Sequence, residues 1–225
     1  MKNACQRRKT RNWGPGPAAL VALAGGVAYA WFVRPWHLEW GASDAESRED
    51  LPGDELVQHA RAQSTRAITI AAPAPDVWAW LVQIGQNKGG FYSYTWLENL
   101  VGCRMRNADC IMPNFQQLNL GDKVWLHPNA PPLPVEMIVP EEALVLGSNT
   151  RNAGTWAFYL REVAPQTTRL IVRSRGDWKS NPFIWFGHYV LFEPIHFIME
   201  RKMMFGIKRR AEAAFRGQCA NAQLL

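Results

Sequence analysis

Acidic side chains are absent from the first 34 residues of this 225-residue chain, and the stretch Pro15–Val33 carries no charge of either sign. Cysteine is scarce: Cys5, Cys103, Cys110 and Cys219 are the whole complement, too few for a dense disulfide framework. No Cys-x-x-Cys pair occurs, and Cys103 and Cys110 lack metal-ligand spacing. They read either as one disulfide, were the domain outside the cytoplasm, or as buried thiols. The phosphate loop GxxxxGK[ST], the dinucleotide fingerprint GxGxxG and the nucleophile turn GxSxG are all missing. So are internal repeats and low-complexity segments. What is abundant is apolar material: 48% hydrophobic residues, with eleven Trp and ten Phe, which excludes a disordered, collagen-like or coiled-coil chain.

The net charge of +6 is unevenly spread. Residues 1–34 hold six bases and no acid, residues 35–200 hold thirteen bases against eighteen acids, and residues 201–225 hold six bases against one acid. The uncharged run of 19 residues from Pro15 to Val33 would span about 28 Å as a helix, close to the hydrocarbon thickness of a bilayer. Trp13 flanks it on one side, Trp31, Trp36 and Trp40 stand on or beyond the other, and Arg34-Pro35 stops it. Lys2, Arg7, Arg8, Lys9 and Arg11 precede it, so the positive-inside rule leaves the N-terminus cytoplasmic and the remaining chain outside, periplasmic or extracellular. The alternative is a cleaved signal peptide with Ala28-Tyr29-Ala30 as the cleavage site, which would leave the domain secreted. The length of the run and the bulky Trp31-Phe32 after that site favour a retained anchor.

The expected organisation is a basic tail (1–13), a transmembrane segment (14–35), a solvated acidic linker (36–64), one folded domain (65–217) and a short tail (218–225). From Glu39 to Glu55, the acids Glu39, Asp44, Glu46, Glu49, Asp50, Asp54 and Glu55 face a single base, Arg48, with a short helix capped by Ser43. The domain opens with a strand, Arg66–Ala71, then a helix started by Pro75-Asp76, with Val77, Trp80, Leu81 and Ile84 on one face. A short helix over Tyr94–Val101 follows. Strands are predicted at Asp122–His127, Val135–Val139, Ala143–Leu146, Thr155–Val163 and Thr168–Arg175, and a long helix from Pro194 to about Phe215. This order predicts an α+β fold, a curved antiparallel sheet covered on one face by helices. Alternation aims Trp156, Phe158, Leu160, Leu170 and Val172 at the covered face and Arg169, Arg173 and Arg175 at the other.

The stretches WAWLVQIGQNKGGF (Trp78–Phe91), YSYTWLENLVG (Tyr92–Gly102), Asn107-Ala108-Asp109, Gly121-Asp122 and HFIMERKMMFGIKRRAE (His196–Glu212) carry a family resemblance. With the lead-in Trp36–Ala42 and Leu51–Leu56, they resemble a bacterial subgroup of the SRPBCC superfamily, the START-like, Bet v 1-like and polyketide-cyclase-like proteins, over roughly residues 36–212. The resemblance implies a helix-grip fold and a cavity for a hydrophobic ligand. Asn114 stands where that subgroup is expected to have an acid.

Candidate site residues follow from the aromatic face and from the few titratable groups. Gly89-Gly90 beside Phe91, Tyr92 and Tyr94 reads either as a lid with aromatics at a cavity mouth or as a tight turn before core aromatics. Phe91, Tyr92, Tyr94, Trp156, Phe158, Leu160, Leu170 and Val172 are the expected ligand-binding set. Polyketide-cyclase relatives hold a poly-carbonyl substrate while a carboxylate or His moves a proton. On that resemblance Asp109 is the first candidate base, with Glu98, His127 and His188 also able to serve. A turn-capping role competes for Asp109. Glu193-Pro-Ile-His196 has di-iron spacing without the second motif such a centre needs, so no metal and no cofactor is expected.

The C-terminal helix sets Arg201, Lys202, Lys208, Arg209, Arg210 and Arg216 against Glu212, with Ile195, Met199, Met203 and Ile207 on another face. It reads as a lipid-facing amphipathic helix or as a core-capping helix with a solvated outer face. Pro182–Phe192 is apolar but too short to span. The expectation is membrane-anchored binding of a hydrophobic small molecule or lipid, with a cyclase- or dehydratase-type enzyme using Asp109 or a His as the alternative. A cell-surface protein-interaction module comes third. Nucleic acid is disfavoured, because the sheet region has no basic stripe with interleaved aromatics.

Overall fold

The computed structural model describes residues 16–148, 154–177 and 187–222. The chain divides into two units, Met1–Trp36 and His37–Leu225. The first contains most of α1 (Pro17–Leu38), a helix long and apolar enough to cross a membrane by length and composition, with a π-helical turn at Tyr29–Val33. Pro17 stands in its first turn, where a missing N–H costs nothing. Leu20, Val21, Val27, Trp31 and Phe32 are exposed on it. The basic tail expected over 1–13 lies outside the described residues.

The second unit is α+β. Six strands, β1 (Ala62–Ile70), β2 (Lys123–Val124), β3 (Leu133–Val139), β4 (Ala143–Ser148), β5 (Gly154–Ala164) and β6 (Thr167–Gly176), form one antiparallel sheet in the order β1-β6-β5-β4-β3-β2. The helices are α2 (Asp44–Arg48), α3 (Ala74–Val82), α4 (Thr95–Leu100) and α5 (Glu193–Ala222). Each strand and helix expected from periodicity is present. β1 starts four residues earlier than its β-branched run, because Ala62–Thr65 pairs with Arg173–Gly176 whatever its own propensity. The strand expected over Asp122–His127 shrinks to two residues, Lys123 and Val124, paired with Pro134 and Leu133.

Alternation sorts the sheet into two faces. One buries Ile68, Ile70, Leu144, Leu146, Phe158, Leu160, Leu170 and Val172 against Val77, Trp80 and Leu81 of α3 and Met203, Met204 and Ile207 of α5. α5 comes close to the loop before α4 at Gly206, where a Cβ would stand 2.3 Å from the Tyr92 carbonyl oxygen. Tyr92 itself has φ 57, a left-handed conformation held by its N–H donating to Asn107 Oδ1 at 2.7 Å and its hydroxyl donating to the Trp80 carbonyl at 3.0 Å.

The opposite face corrects an expectation. The acidic segment is not a solvated linker. Leu51, with Ala42 and Leu56 beside it, packs on Ala67, Val145, Ala157, Tyr159 and Ile171. Arg173, 1% exposed, donates to Asp54 Oδ2 (2.6 Å), Thr65 Oγ1 (3.0 Å) and the carbonyls of Glu49 (2.8 Å) and Glu46 (2.7 Å). Arg169 pairs with Glu46 at 2.7 Å, Arg161 with Glu49 at 2.8 Å and Arg175 with Asp54 at 3.1 Å. The physical reason is desolvation: guanidinium groups on a face that also carries Ile171 and Tyr159 need acids once that face is covered, and this segment provides them. Burial and Arg169 act oppositely on Glu46; the Arg169 hydrogen bond dominates and lowers its carboxyl to about 2. α2 opens with a capping box, Ser43 Oγ accepting from the Glu46 N–H at 3.2 Å and Glu46 Oε2 accepting from the Ser43 N–H at 2.7 Å.

Candidate ligand-binding cavity

The cavity, about 410 Å³, lies between one end of the sheet and the N-terminal half of α5. Apolar walls come from Leu38, Phe91, Leu126, Leu133, Trp156 and Met203, each from a different part of the chain. Strands β1, β5 and β6 contribute at that end because their alternation turns Ser64, Arg66, Trp156 and Ser174 to one face. α5 presents Glu193, His196, Met199, Glu200 and Met203, spaced three and four apart along one side.

A polar cluster occupies one wall. The buried Arg66 and Glu200 side chains form an ion pair, each 1% exposed. Arg66 Nε donates to the His37 carbonyl at 2.8 Å, and Trp156 Nε1 donates to Glu200 Oε1 at 2.8 Å. Burial works to raise the Glu200 carboxyl, but the Arg66 charge beside it and the hydrogen bonds it accepts outweigh that and hold it below the ordinary carboxylate value. Arg66 Nη1 lies 3.4 Å from His196 Nδ1. A guanidinium has only donors, so Nδ1 accepts and the ring proton sits on Nε2, 3.9 Å from Glu200 Oε1.

Glu98, from α4, is the other carboxyl of the cavity wall. It is 6% exposed, and neither of its oxygens has a hydrogen-bond partner among the described residues. Burial pushes its carboxyl up to about 7. Burial and the nearby Glu98 charge push up the Cys103 thiol. Ser174 Oγ, also in the lining, is likewise without a partner among the described residues.

Of the residues expected to bind ligand, Phe91 and Trp156 line this cavity, with ring centroids 5.9 Å apart. Phe158, Leu160, Leu170 and Val172 lie deeper, in the core against α3 and α5. Tyr92 is in that core too, edge-on to Trp80 at 5.7 Å, where burial raises its hydroxyl to about 12. Tyr94 caps α4, its ring under Lys202 Nζ at 5.3 Å.

Asp109 stands apart from the cavity. Its side chain is 90% exposed and pairs with Arg210 at 2.7 Å. His127 is on the surface, its Nδ1 accepting from the Asn129 N–H at 3.0 Å and its Nε2 3.0 Å from the Val101 carbonyl. The side chain of His188 and residues 182–186 of the apolar stretch lie outside the described residues. Cys103 and Cys110 are both free thiols, one buried and one exposed. Cys5 and the side chain of Cys219 lie outside the described residues. Among the described residues no group of three His, Cys, Asp or Glu is arranged to hold a metal ion.

Arg66, His196 and Glu200 were not singled out as ligand-binding residues from sequence. The signal was weak: an Arg in a β-branched strand whose neighbours Ala67, Ile68 and Ile70 are apolar. The basic residues of α5 are largely engaged within the domain. Lys208 pairs with Glu212 at 2.6 Å, Arg210 with Asp109, and Arg201 stacks over Trp40 and Phe205 at 4.9 and 5.1 Å.

No protein-family model and no curated protein matches the chain. Among solved structures, protein MLL2253 from Mesorhizobium loti is similar at 12% identity, covering 68% of this chain and 98% of that one, with a TM-score of 0.39. The Polyketide_cyc-like protein Cgl2372 from Corynebacterium glutamicum is similar at 16% identity over 71% and 93% of the two chains, with a TM-score of 0.32. DR_A0006 from Deinococcus radiodurans has 14% identity over 68% and 99%, with a TM-score of 0.35. By its own geometry the chain is an α+β protein in which a six-stranded antiparallel sheet and a long C-terminal helix bound a cavity with a buried polar cluster.

Proposed function

We propose that this protein is a membrane-anchored, helix-grip binder of a hydrophobic small molecule or lipid. The observation that carries the reading is the cavity of about 410 Å³, apolar over most of its wall and supplied with a few convergent polar groups, Glu98, Arg66, Glu200 and His196. Small-molecule sites have this make-up. The apolar helix Pro17–Leu38 supports the anchor, and its end is joined directly to the cavity-bearing unit, whose residue Leu38 is in the cavity wall. A domain tethered there works next to a reservoir of apolar compounds. The anchor, with the domain outside the cytoplasm, is preferred to a cleaved signal.

The test uses the full chain in nanodiscs. Native mass spectrometry is expected to find an apolar compound retained by the wild type and lost in Leu133→Trp, which fills the cavity from its wall. An empty wild-type protein that also fails to bind a hydrophobic dye would sink the reading.

A second reading is a cyclase- or dehydratase-type enzyme. Its support is His196 in the cavity wall, whereas Asp109 is exposed and paired elsewhere. It requires turnover of a poly-carbonyl probe by the wild type and loss of that turnover in His196→Gln.

A further inference from the structure

We propose that the cavity takes an apolar molecule carrying a protonated amine, with the Glu98 carboxylate as its counter-ion and the rings of Phe91 and Trp156 as its aromatic wall. This rests on the reading of the cavity as a hydrophobic-ligand site and adds the chemistry of the head group.

The charge inventory of the wall points to a cation. Two Arg stand in the cavity wall, and each already has an acid as its ion-pair partner, although Arg175 Nε has no hydrogen-bond partner among the described residues. Arg66 is held by Glu200 and the His37 carbonyl, and Arg175 by Asp54 at 3.1 Å and the Val57 carbonyl at 3.2 Å. A carboxylate or phosphate head group would therefore find no Arg that lacks an acid partner and would meet Glu98. Glu98 is the reverse case: a carboxyl buried to 6% exposure, lining the cavity, with both oxygens unpartnered among the described residues. A buried carboxyl left in that state costs free energy that a hydrogen-bonded cation restores. An ammonium has three N–H donors, and the acceptors without a partner among the described residues in this lining are the two Glu98 oxygens and Ser174 Oγ. Phe91 and Trp156 in the same wall provide the π faces that attract such a cation.

The titratable and charged groups that share the cavity lining with Glu98, or feel its charge, bear on the pH response. They are Arg66 from β1, Arg175 from β6, Glu193, His196 and Glu200 from α5, and Cys103 just beyond α4. Across pH 6–8 Glu200 stays ionised beside Arg66, and the Cys103 thiol, pushed up by burial, stays protonated. Glu98 and His196 are the groups to separate.

The experiment measures binding of 4-phenylbutylamine, 4-phenylbutanol and 4-phenylbutyrate to the full chain in phosphatidylcholine nanodiscs, with protein-free nanodiscs as background. At pH 8 the amine is expected to bind about tenfold tighter than the alcohol, with the carboxylate weakest. The amine's advantage should fall about tenfold between pH 8 and pH 6, the change in ionised fraction of a carboxyl titrating near 7. Glu98→Gln should erase the preference for the amine, and His196→Gln should keep both the preference and its pH dependence. Alcohol or carboxylate binding as tightly as amine, or a Glu98→Gln protein that keeps the preference, overturns the amine proposal and leaves the hydrophobic-ligand reading standing. Failure of all three probes to bind overturns both. The wild-type comparison of three probes at two pH values needs no variant to fold.

Discussion

Glu98 sits in a short helix on a polar-looking stretch, Thr95–Leu100, and nothing in its neighbours' identities marks it as buried. Its importance comes from where α4 is set down, at the cavity wall, out of reach of any hydrogen-bond partner among the described residues. The consequence for stability has a definite sign. Its carboxyl is raised from 4.5 to about 7 in the folded protein. Between those values the folded state binds more protons than the unfolded one, so this group makes stability fall as pH rises through that window and leaves it level above. The loss is about 3 kcal/mol by pH 8. Glu98→Gln removes the titration. Thermal unfolding is expected to show the variant level with the wild type near pH 4.5 and more stable by that amount at pH 8; a wild-type profile flat from pH 5 to 8 would refute it. Asp109 teaches the converse. The Asn-Ala-Asp stretch is legible in sequence, yet its carboxylate is spent on Arg210 at the surface.

At the scale of elements, periodicity was a good guide wherever an element has one buried face. α3 and α5, and strands β3 to β6, follow their apolar spacing to within a few residues. It was a poor guide where pairing is polar. Arg169, Arg173 and Arg175 were legible as one face of β6, and the acids of residues 39–55 were legible as a charge run. That the two meet is a matter of 120 or so intervening residues folding back. Asp54, 9% exposed, depends on that meeting. Arg173→Ala leaves its carboxylate buried beside Tyr159 and removes five donor contacts. The expected cost is about 3–5 kcal/mol, read as a lowered unfolding midpoint. Arg173→Ala combined with Asp54→Ala should cost less than the two single changes added together. Strict additivity would mean that the acidic segment is not held by this pair.

For the whole molecule, the uneven charge and the helix Pro17–Leu38 are the features to test together. The chain is expected to resist alkaline extraction from membranes. Replacing Leu20 and Val27, both exposed on the helix, with Arg should release it, since a charge near the helix centre, as at Val27, adds about 2.5–3.5 kcal/mol against insertion. Release of an intact, full-length wild-type chain by alkali would sink the anchor. The sequence by itself determined the α+β class, the apolar N-terminal helix, the long closing helix and the two faces of the sheet, because each is written in local periodicity and runs of one residue type. Only the tertiary structure decided that the acidic segment is a covering layer. It alone reduced the aromatic face to Phe91 and Trp156 at the cavity, and it alone brought Arg66, Glu200, His196 and Glu98 to one wall. Those outcomes depend on pairings across 30 to 130 residues, and a buried charge is identified by the partner that reaches it or fails to, which no local pattern encodes.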